Sequence, residues 1–251
     1  MGKYCDTSKL YVRLIDKKSA KKMIVNYHYS HLWTKCSVAL GLFHQTGNEH
    51  AFFDEPEEKM IGVIVYGDPI GRLTGQSISD EIKRTEVLEL TRLFIHDGYG
   101  SNIESWFISQ SMKWLRHWRP QIRALVSYAD PKQNHPGTIY QATNWIYQGI
   151  IGKHTWSFKF NENDRWKHGR TIFPYYGTND IEKIQRQVKE PFWVRKEPRK
   201  HRYIYILTGK RDKKKIMKNL KYPILPYPKS KDFGELEVLK MEPINDRGRK
   251  N

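Results

Sequence analysis

The chain has 251 residues, of which 44 are Lys or Arg and 27 are Asp or Glu, so its formal net charge is +17. A charge of this size predicts attraction to a polyanion such as nucleic acid. The two cysteines exclude a disulfide framework or a thiolate zinc site, and no apolar run is as long as a membrane span. Because the first residues also lack the apolar core of a signal peptide, we expect a soluble, cytoplasmic protein.

The first part of the chain predicts a strand, a helix and a pair of antiparallel strands. Residues 10–15 alternate as a strand, and Ser19 is expected to cap the helix that follows. The end of that helix, residues 27–31, brings two His and two Tyr side chains together, and all four can take part in acid-base chemistry. Residues 37–43 and 60–66 are apolar runs that predict an antiparallel pair.

A glycine-containing turn separates the next strand, residues 86–95, from a helix predicted over residues 103–118. Ser101 and Glu104 match the capping-box pattern at the start of that helix. A helix start of this kind directs free N–H groups and the positive end of the helix dipole at a phosphate. A plain tight turn that needs glycine at positive φ explains the same residues. The candidate cofactor-binding residues of this turn are Gly98, Gly100, Ser101 and Asn102.

Residues 122–149 form the stretch in which the remaining polar side chains concentrate. An apolar strand over 122–128 is ended by Asp130 and Pro131, and a helix is predicted from Pro136 to Gly149. A carboxylate at the end of a strand, followed by a helix with a polar face, is how α/β enzymes build a site. The spacing i, i+4, i+7 predicts that one face of this helix carries Tyr140, Asn144 and Tyr147.

The last third of the chain is strongly basic. Residues 193–221 contain twelve Lys or Arg with aromatic side chains between them, a composition that suits phosphate contacts and base stacking. We predict strands over 150–160, 171–176 and 203–207, and helices over 180–189 and 211–220. The candidate DNA-binding residues are Arg195, Lys196, Arg199, Lys200, Arg202, Lys213, Lys214 and Lys215.

The order of these elements resembles the GNAT superfamily of acetyl-coenzyme A-dependent N-acyltransferases. The resemblance implies an α/β (α+β) fold with a mixed, mostly antiparallel central sheet flanked by helices. It also implies that the turn after the fourth strand holds the coenzyme. We expect a catalytic domain over residues 1–180 and a basic C-terminal extension over 181–251 that contacts DNA and ends in a loosely ordered tail.

A more specific resemblance rests on the His28-Tyr29 pair, the Glu89-Leu-Thr-Arg92-Leu93 strand and the block from Tyr128 to Gly149. These motifs look like those of the Mom DNA-modification proteins of Mu-like phages. The resemblance implies conversion of adenine in DNA to its N6-carbamoylmethyl form, which shields phage DNA from host restriction. It carries over the functional positions His28, Tyr29, Asp130 and Tyr140, and it implies a bound iron for which His28 and Asp130 are the candidate ligands.

Chemistry on the N6 amino group requires a proton acceptor and a base that has left the helical stack. Asp130 is the expected proton acceptor, with His28 as a second acid-base group. Asn144 has the amide that pairs well with an adenine edge. The side chains expected to form aromatic walls around the base are Tyr29, Tyr140, Trp145 and Tyr147. Arg92 is a further candidate for substrate binding, together with Asn144, Trp145 and Tyr147.

Two other functions fit parts of this pattern. The first is a GNAT-type acyltransferase that uses acetyl-coenzyme A on a protein or small amine, and it predicts indifference to DNA. The second is a non-catalytic basic DNA-binding protein, which explains the charge but not the His-Tyr cluster.

Overall fold

The structure is a computed structural model that describes residues 6–46, 57–71, 73–131, 136–152, 154–229 and 237–244. The chain divides into two compact units, each assembled from separate stretches of sequence. Unit 1 takes the described residues within 1–129, 137–149 and 202–227, and unit 2 takes those within 130–136, 150–201 and 228–251. None of the described helices is long and apolar enough to cross a membrane.

A seven-stranded sheet forms the centre of unit 1, and most of its residues belong to that unit. Its strands are β1 (Leu10–Leu14), β2 (Val38–Thr46), β3 (Glu57–Gly67), β4 (Val87–Ile95), β5 (Ala124–Ala129), β6 (Ile146–Ile151) and β10 (Lys200–Ile206). They lie in the order β1-β2-β3-β4-β5-β10-β6. The first four strands pair antiparallel, and β4 pairs parallel with β5. The predicted mixed, mostly antiparallel sheet with flanking helices is confirmed.

Helix α1 (Lys17–Tyr27) covers one face of the sheet. Its buried side chains, Met23 and Ile24 among them, pack with Val63 and Val65 of β3. The helix begins at Asp16, whose carboxylate accepts bonds from the amides of Lys18 and Ser19, each at 2.9 Å. The prediction that Ser19 caps this helix is therefore wrong, because an acidic residue three positions earlier already satisfies the free amides.

Helix α2 (Ile103–Trp118) covers the opposite face, with the bounds predicted from the sequence. Phe107 and Leu115 are fully buried and pack in the same cluster as Leu40 and Ile64. Trp118, the last residue of the helix, is exposed. The residue before the helix is Asn102 in the left-handed region, and it makes no capping bond through its side chain, so the predicted capping box of Ser101 is not formed.

Two further helices complete unit 1. Helix α3 (Thr138–Ala142) follows β5 in the chain and buries Tyr140. Helix α6 (Lys210–Lys218) buries Ile216 against Val126 and Ile204, and its other residues are largely charged. The predicted helix over 211–220 and the predicted strand over 203–207 are thus found as α6 and β10.

Unit 2 has a separate sheet of four short antiparallel strands in the order β11-β9-β7-β8. They are β7 (Thr155–Lys159), β8 (Lys167–His168), β9 (Phe192–Glu197) and β11 (Val238–Met241). Helices α4 (Gly169–Tyr176) and α5 (Ile181–Gln185) also belong to unit 2. Its core is small and aromatic, and it includes Phe158, Ile172, Ile184 and Phe192.

Several sequence predictions differ from the structure. Residues 171–176 form helix α4 and not a strand, because Ile172 and Tyr176 lie on one helical face and pack on the core of unit 2. The predicted helix over 136–149 is only five residues long and is followed by β6. The predicted boundary at residue 180 does not coincide with the two units, since β10 lies inside the seven-stranded sheet between β5 and β6.

Candidate active site

The C-terminal end of α1 places an imidazole and a phenol side by side. His28 is buried, with 5% of its surface exposed, while 60% of Tyr29 is exposed, and their ring centroids are 4.2 Å apart. The backbone N–H of Ser30 donates to His28 Nδ1 at 3.1 Å. The proton of the neutral ring therefore sits on Nε2, and His28 offers a hydrogen-bond donor.

The charge state of His28 is also decided by its surroundings. Burial lowers its pKa to about 4, and the positive charges of Arg92 and His31 add to this effect. At neutral pH the imidazole is uncharged. His28 is thus better suited to donate a hydrogen bond through Nε2 than to accept a proton, in contrast to the acid-base role expected from the sequence.

Arg92, on β4, connects this helix end to the sheet. Its guanidinium donates to the Leu32 carbonyl at 3.2 Å through Nε and to the Thr91 carbonyl at 2.7 Å through Nη1. Burial lowers the pKa of Arg92, and the nearby Tyr29 and Glu89 oppose that change. Arg92 therefore holds the loop after α1 against β4 and gives the site a positive charge.

Tyr140 lies where β4 and β5 separate. The parallel ladder joins Val87–Glu89 to Ala124–Val126, and just beyond it the Ser127 hydroxyl lies 2.9 Å from the Leu90 carbonyl. The same hydroxyl is 2.8 Å from the Tyr140 hydroxyl. Burial raises the pKa of Tyr140 to about 12, with smaller contributions from Tyr29 and Glu89 in the same direction. The phenol is therefore neutral and can donate a hydrogen bond.

The residues after Tyr140 do not form the polar helix face that the sequence predicted. Asn144 is an exposed turn residue with φ 58°, Trp145 is fully buried and Tyr147 is 6% exposed on β6. Trp145 packs on Tyr140 with ring centroids 5.1 Å apart, and Tyr147 packs on Tyr203 at the same separation. Trp145 and Tyr147 are core residues in this conformation, so the prediction that they form walls for a base is wrong.

Asp130 follows the last residue of β5 and belongs to unit 2. Lys200 Nζ lies 3.5 Å from its carboxylate, and the Asp130 side chain is 26% exposed. The carboxylate is thus reachable from solvent and lies beside the positive charge of Lys200. The loop residues 132–135, among them His135 of the resemblance motif, lie outside the described residues.

The turn before α2 has the backbone that its glycines predict. Gly98 has φ 97°, Gly100 has φ 96° and Asn102 has φ 67°, all in the left-handed region. A cavity of about 290 Å³ adjoins the turn. Its lining residues are Thr7, Ser101, Asn102, Ser105, Trp106, Ser109 and Ala142.

The predicted DNA-binding residues differ widely in exposure. Arg199, Lys200, Lys213, Lys214 and Lys215 are exposed, and Arg195 and Lys196 are half-buried. Arg195 lies over the Trp166 ring at 4.4 Å and is 3.4 Å from the Glu197 carboxylate. Lys215 pairs with Glu81 at 2.7 Å.

Arg202 does not have the surface position that a DNA contact needs. It is fully buried, donates to the Ser77 hydroxyl at 2.9 Å and lies over the Tyr222 ring at 5.0 Å. Arg202 lies on the same side of strand β10 as the buried Ile204 and Ile206, so its side chain points into the protein. The prediction that it contacts DNA is therefore wrong.

The described residues do not support the iron site that the resemblance implied. They contain no group of three or more His, Cys, Asp or Glu side chains that could hold a metal ion. The Nδ1 atom of His28 already accepts a hydrogen bond from the Ser30 amide, and one oxygen of the Asp130 carboxylate lies 3.5 Å from Lys200 Nζ.

Two residues of the site, Ser127 and Glu89, were not among the candidates from the sequence, although Glu89 belongs to the resemblance motif. Ser127 is a small hydroxyl residue in the mostly apolar strand β5, and Glu89 is the carboxylate of strand β4, whose first residues are apolar. Each is a polar residue inside a predicted buried strand, and that pattern could have marked both.

The chain is similar to solved structures of N-acetyltransferases. Spermidine/spermine N-acetyltransferase SpeG from Vibrio cholerae has a TM-score of 0.44 and 9% identity, covering 82% of this chain and 98% of that one. An N-acetyltransferase from Staphylococcus aureus Mu50 has a TM-score of 0.40 and 13% identity, covering 80% and 99%.

The Mom protein family model matches residues 9–229, so the chain belongs to the Mom protein family. A curated relative is "Methylcarbamoylase mom" of Escherichia phage Mu. It is 28% identical over 224 residues, which are 89% of this chain and 85% of the relative. The resemblance inferred from the sequence is confirmed.

Proposed function

We propose that this protein is a DNA-modifying transferase that attaches a carbamoylmethyl group to the N6 amino group of adenine and so protects phage DNA from host restriction. The observation that carries the proposal is membership of the Mom family over residues 9–229, with a relative named as a methylcarbamoylase. The matched region contains His28, Tyr29, Asp130 and Tyr140.

In the proposed reaction, N6 attacks the methylene carbon of an activated donor. A C–N bond forms, the bond from that carbon to the leaving group breaks, and the leaving group departs with the electron pair. The N6 proton then passes to a carboxylate. N6 is a poor nucleophile because its lone pair is delocalised into the ring, so positioning and proton removal are what the protein has to supply.

Two carboxylates are candidates for accepting this proton. Asp130 is the one that the family motif designates, and its side chain is 26% exposed. Glu89 is the second, because its charge acts on both Arg92 and Tyr140 within unit 1. Asp130→Asn and Glu89→Gln variants separate the two, since the essential carboxylate is the one whose amide abolishes modification.

The neutral side chains of unit 1 are proposed to position the reactants. His28 donates through Nε2, Tyr140 donates through its buried hydroxyl, and the exposed ring of Tyr29 stacks on the adenine. Adenine N6 is engaged in pairing inside a duplex, so the base has to be flipped out before it can react. His28→Asn keeps a side chain of similar polarity but removes the Nε2 donor, and we expect it to lower the rate.

The donor is a separate part of the proposal. We infer that the turn of Gly98, Gly100, Ser101 and Asn102 is the place for the phosphates of a donor linked to coenzyme A, because several left-handed residues turn the chain into the start of α2 there. In such a donor the coenzyme sulfur is bonded to the transferred methylene carbon and leaves as the thiolate. Calorimetry with coenzyme A on wild type and on a Gly100→Val variant tests this. Absence of binding heat to wild type would contradict it.

The DNA partner is supported by the exposed basic residues of α6 in unit 1. Lys213 and Lys214 are exposed, and this helix has charged residues around a single buried Ile216. Such a surface suits phosphate contacts, which dominate DNA affinity and make it salt-dependent.

The experiment that tests the function is direct. The protein is expressed in bacteria, the cellular DNA is digested to nucleosides, and modified deoxyadenosine is measured by mass spectrometry. We expect a deoxyadenosine whose mass is increased by a carbamoylmethyl group, and its loss in the Asp130→Asn or Glu89→Gln variant. Unmodified deoxyadenosine alone, with folded wild-type protein present, would contradict the proposal.

A further inference from the structure

The hydroxyl of Ser127 lies between two oxygen atoms inside unit 1. Its Oγ atom is 2.9 Å from the Leu90 carbonyl oxygen and 2.8 Å from the Tyr140 hydroxyl oxygen, and Ser127 is 1% exposed. A serine hydroxyl has a single proton, whereas a carbonyl oxygen can only accept a hydrogen bond. Ser127 can therefore donate to Leu90 or to Tyr140, but not to both at once.

This choice decides what the Tyr140 hydroxyl can do. When Ser127 donates to Leu90, the 2.8 Å contact requires Tyr140 to donate its own proton to Ser127, and none is left for a reactant. When Ser127 donates to Tyr140, the phenol proton is released and can point toward another acceptor. The two arrangements differ only by rotation of two hydroxyl groups, so no heavy atom has to move.

A second pair in unit 1 has the same construction in the middle of the core. Ser111 Oγ is 2.7 Å from the Ile108 carbonyl oxygen and 2.6 Å from the Tyr66 hydroxyl oxygen, and Ser111 and Tyr66 are both fully buried. Because no reactant can reach Tyr66, this pair can only stabilise the fold. It shows that the construction alone does not indicate catalysis, and it provides a matched control for Ser127.

Tyr140 differs from Tyr66 in its surroundings. It is 8% exposed, and it lies close enough to Tyr29 and Glu89 for their charges to act on it. Burial raises the pKa of Tyr140 to about 12, the Ser127 hydrogen bond opposes this rise, and Tyr29 and Glu89 add smaller increases. A hydrogen bond from Ser127 thus makes the phenol a stronger donor, beside side chains that are proposed to contact the reactants.

We propose that Ser127 is a positioning residue that turns its proton from Leu90 to Tyr140 when Tyr140 donates to a reactant that gains negative charge. This inference rests on the proposed function, in which the Tyr140 hydroxyl is a donor. As the reactant draws the phenol proton, the phenol oxygen becomes more negative and the bond from Ser127 becomes charge-assisted. Charge-assisted hydrogen bonds are about twice as strong as neutral ones, such as the bond to Leu90. Each proton stays on its own oxygen, and only hydrogen bonds change direction.

A double-mutant cycle of Ser127→Ala and Tyr140→Phe tests this role. The full-length protein is expressed in bacteria, and the rate at which modified deoxyadenosine accumulates is measured by mass spectrometry per amount of folded protein. We expect Ser127→Ala to slow modification by about tenfold, which corresponds to about 1.4 kcal/mol and is within the range for one hydrogen bond. In the Tyr140→Phe background the same substitution should have no further effect, because Ser127 acts through the phenol hydroxyl.

Ser111→Ala is the matched control, because it removes hydrogen bonds of the same kind from the core. Urea unfolding should show similar losses of unfolding free energy in Ser111→Ala and Ser127→Ala, yet only Ser127→Ala should slow modification. DNA affinity, measured by anisotropy, should stay at the wild-type value in both. If Ser127→Ala fails to fold, Ser127→Cys keeps the size of the side chain with only a weak S–H donor, and it should show the same slowing.

Modification by the folded Ser127 variants at or above the wild-type rate would overturn the inference. An equal loss in the wild-type and Tyr140→Phe backgrounds would also overturn it, since Ser127 would then act independently of the phenol. Both outcomes leave the proposed function intact, because wild type still modifies adenine. If wild type yields only unmodified deoxyadenosine, the proposed function itself fails, and the role of Ser127 fails with it.

Discussion

Helices α3 and α4 are both short and both carry tyrosines, yet they place them in opposite environments. In α3, Tyr140 is 8% exposed and its hydroxyl contacts Ser127. In α4, Tyr175 is 82% exposed. The difference teaches that the residue type does not decide the role of a tyrosine here. A buried hydroxyl serves as a fixed hydrogen-bonding group, and an exposed ring is a surface for stacking.

The largest expected effect comes from removing one buried hydroxyl. Tyr140→Phe should lower DNA modification by about a hundredfold or more, since a positioned proton donor or acceptor contributes about 10²–10⁴-fold. The free energy of unfolding should fall by only about 1 kcal/mol, the net value of one hydrogen bond. Nucleoside mass spectrometry and urea unfolding measure the two effects. Tyr175→Phe is the matched control and should modify DNA normally. If Tyr140→Phe is as active as this control, the buried hydroxyl of Tyr140 has no part in catalysis.

The glycines that border the two helices provide a second contrast, in stability. Gly137 has φ 85°, and a Cβ there would lie 2.9 Å from the Tyr203 hydroxyl oxygen and closer still to its ring. Gly177 has φ 65° with nothing within 4 Å of a Cβ. Gly137→Ala should destabilise by about 3 kcal/mol, because backbone strain and overpacking add. Gly177→Ala should cost about 1 kcal/mol from the backbone alone. Equal losses of unfolding free energy in the two variants, measured by urea unfolding, would show that the Tyr203 ring moves aside without cost.

A third prediction concerns the pH dependence that the buried His28 introduces. Its pKa falls from about 6.5 in the unfolded chain to about 4 in the folded protein. The unfolded state therefore binds more protons between these values, and the stability present above pH 6.5 is lost as the pH falls toward 4. The contribution of His28 between pH 7.5 and pH 5 is about 2 kcal/mol. Urea unfolding at both pH values should show that loss in wild type and a smaller one in His28→Asn. Identical losses would mean that His28 is not the group responsible.

The smallest expected effect is on DNA affinity and comes from the exposed lysines of α6, which can reach a phosphate, unlike the buried Arg202. The Lys213→Ala, Lys214→Ala double variant should weaken DNA binding and reduce the salt slope by about 0.9 for each phosphate that the protein no longer neutralises. A Lys21→Ala, Lys22→Ala variant on α1 has the same net charge and serves as the control. Anisotropy titrations at several salt concentrations measure both. If the two variants behave alike, net charge and not binding by α6 explains the affinity.

Much of the sheet could be predicted because its signals are local. The strands β2, β3 and β4 are apolar runs, and α2 has a periodic buried face, so each was found from its own residues. Helix α4 was missed because Thr, Ile, Phe and Tyr favour strands, and only packing against the unit 2 core makes this segment helical. The short α3 was overextended for the reverse reason, since Tyr140, Asn144 and Tyr147 have a helical spacing, but Asn144 lies in a turn and Tyr147 is buried on strand β6.

The sequence by itself determined the family and the mixed sheet and supplied polar candidates for the site, because motifs and periodicity are properties of the chain. Only the tertiary structure decided which of those side chains are available. Burial neutralises His28 and Tyr140, encloses Trp145 and Arg202, and leaves Tyr175 in solvent. These outcomes depend on interactions between residues far apart in sequence, such as that of Arg202 with Ser77, and no local pattern contains them.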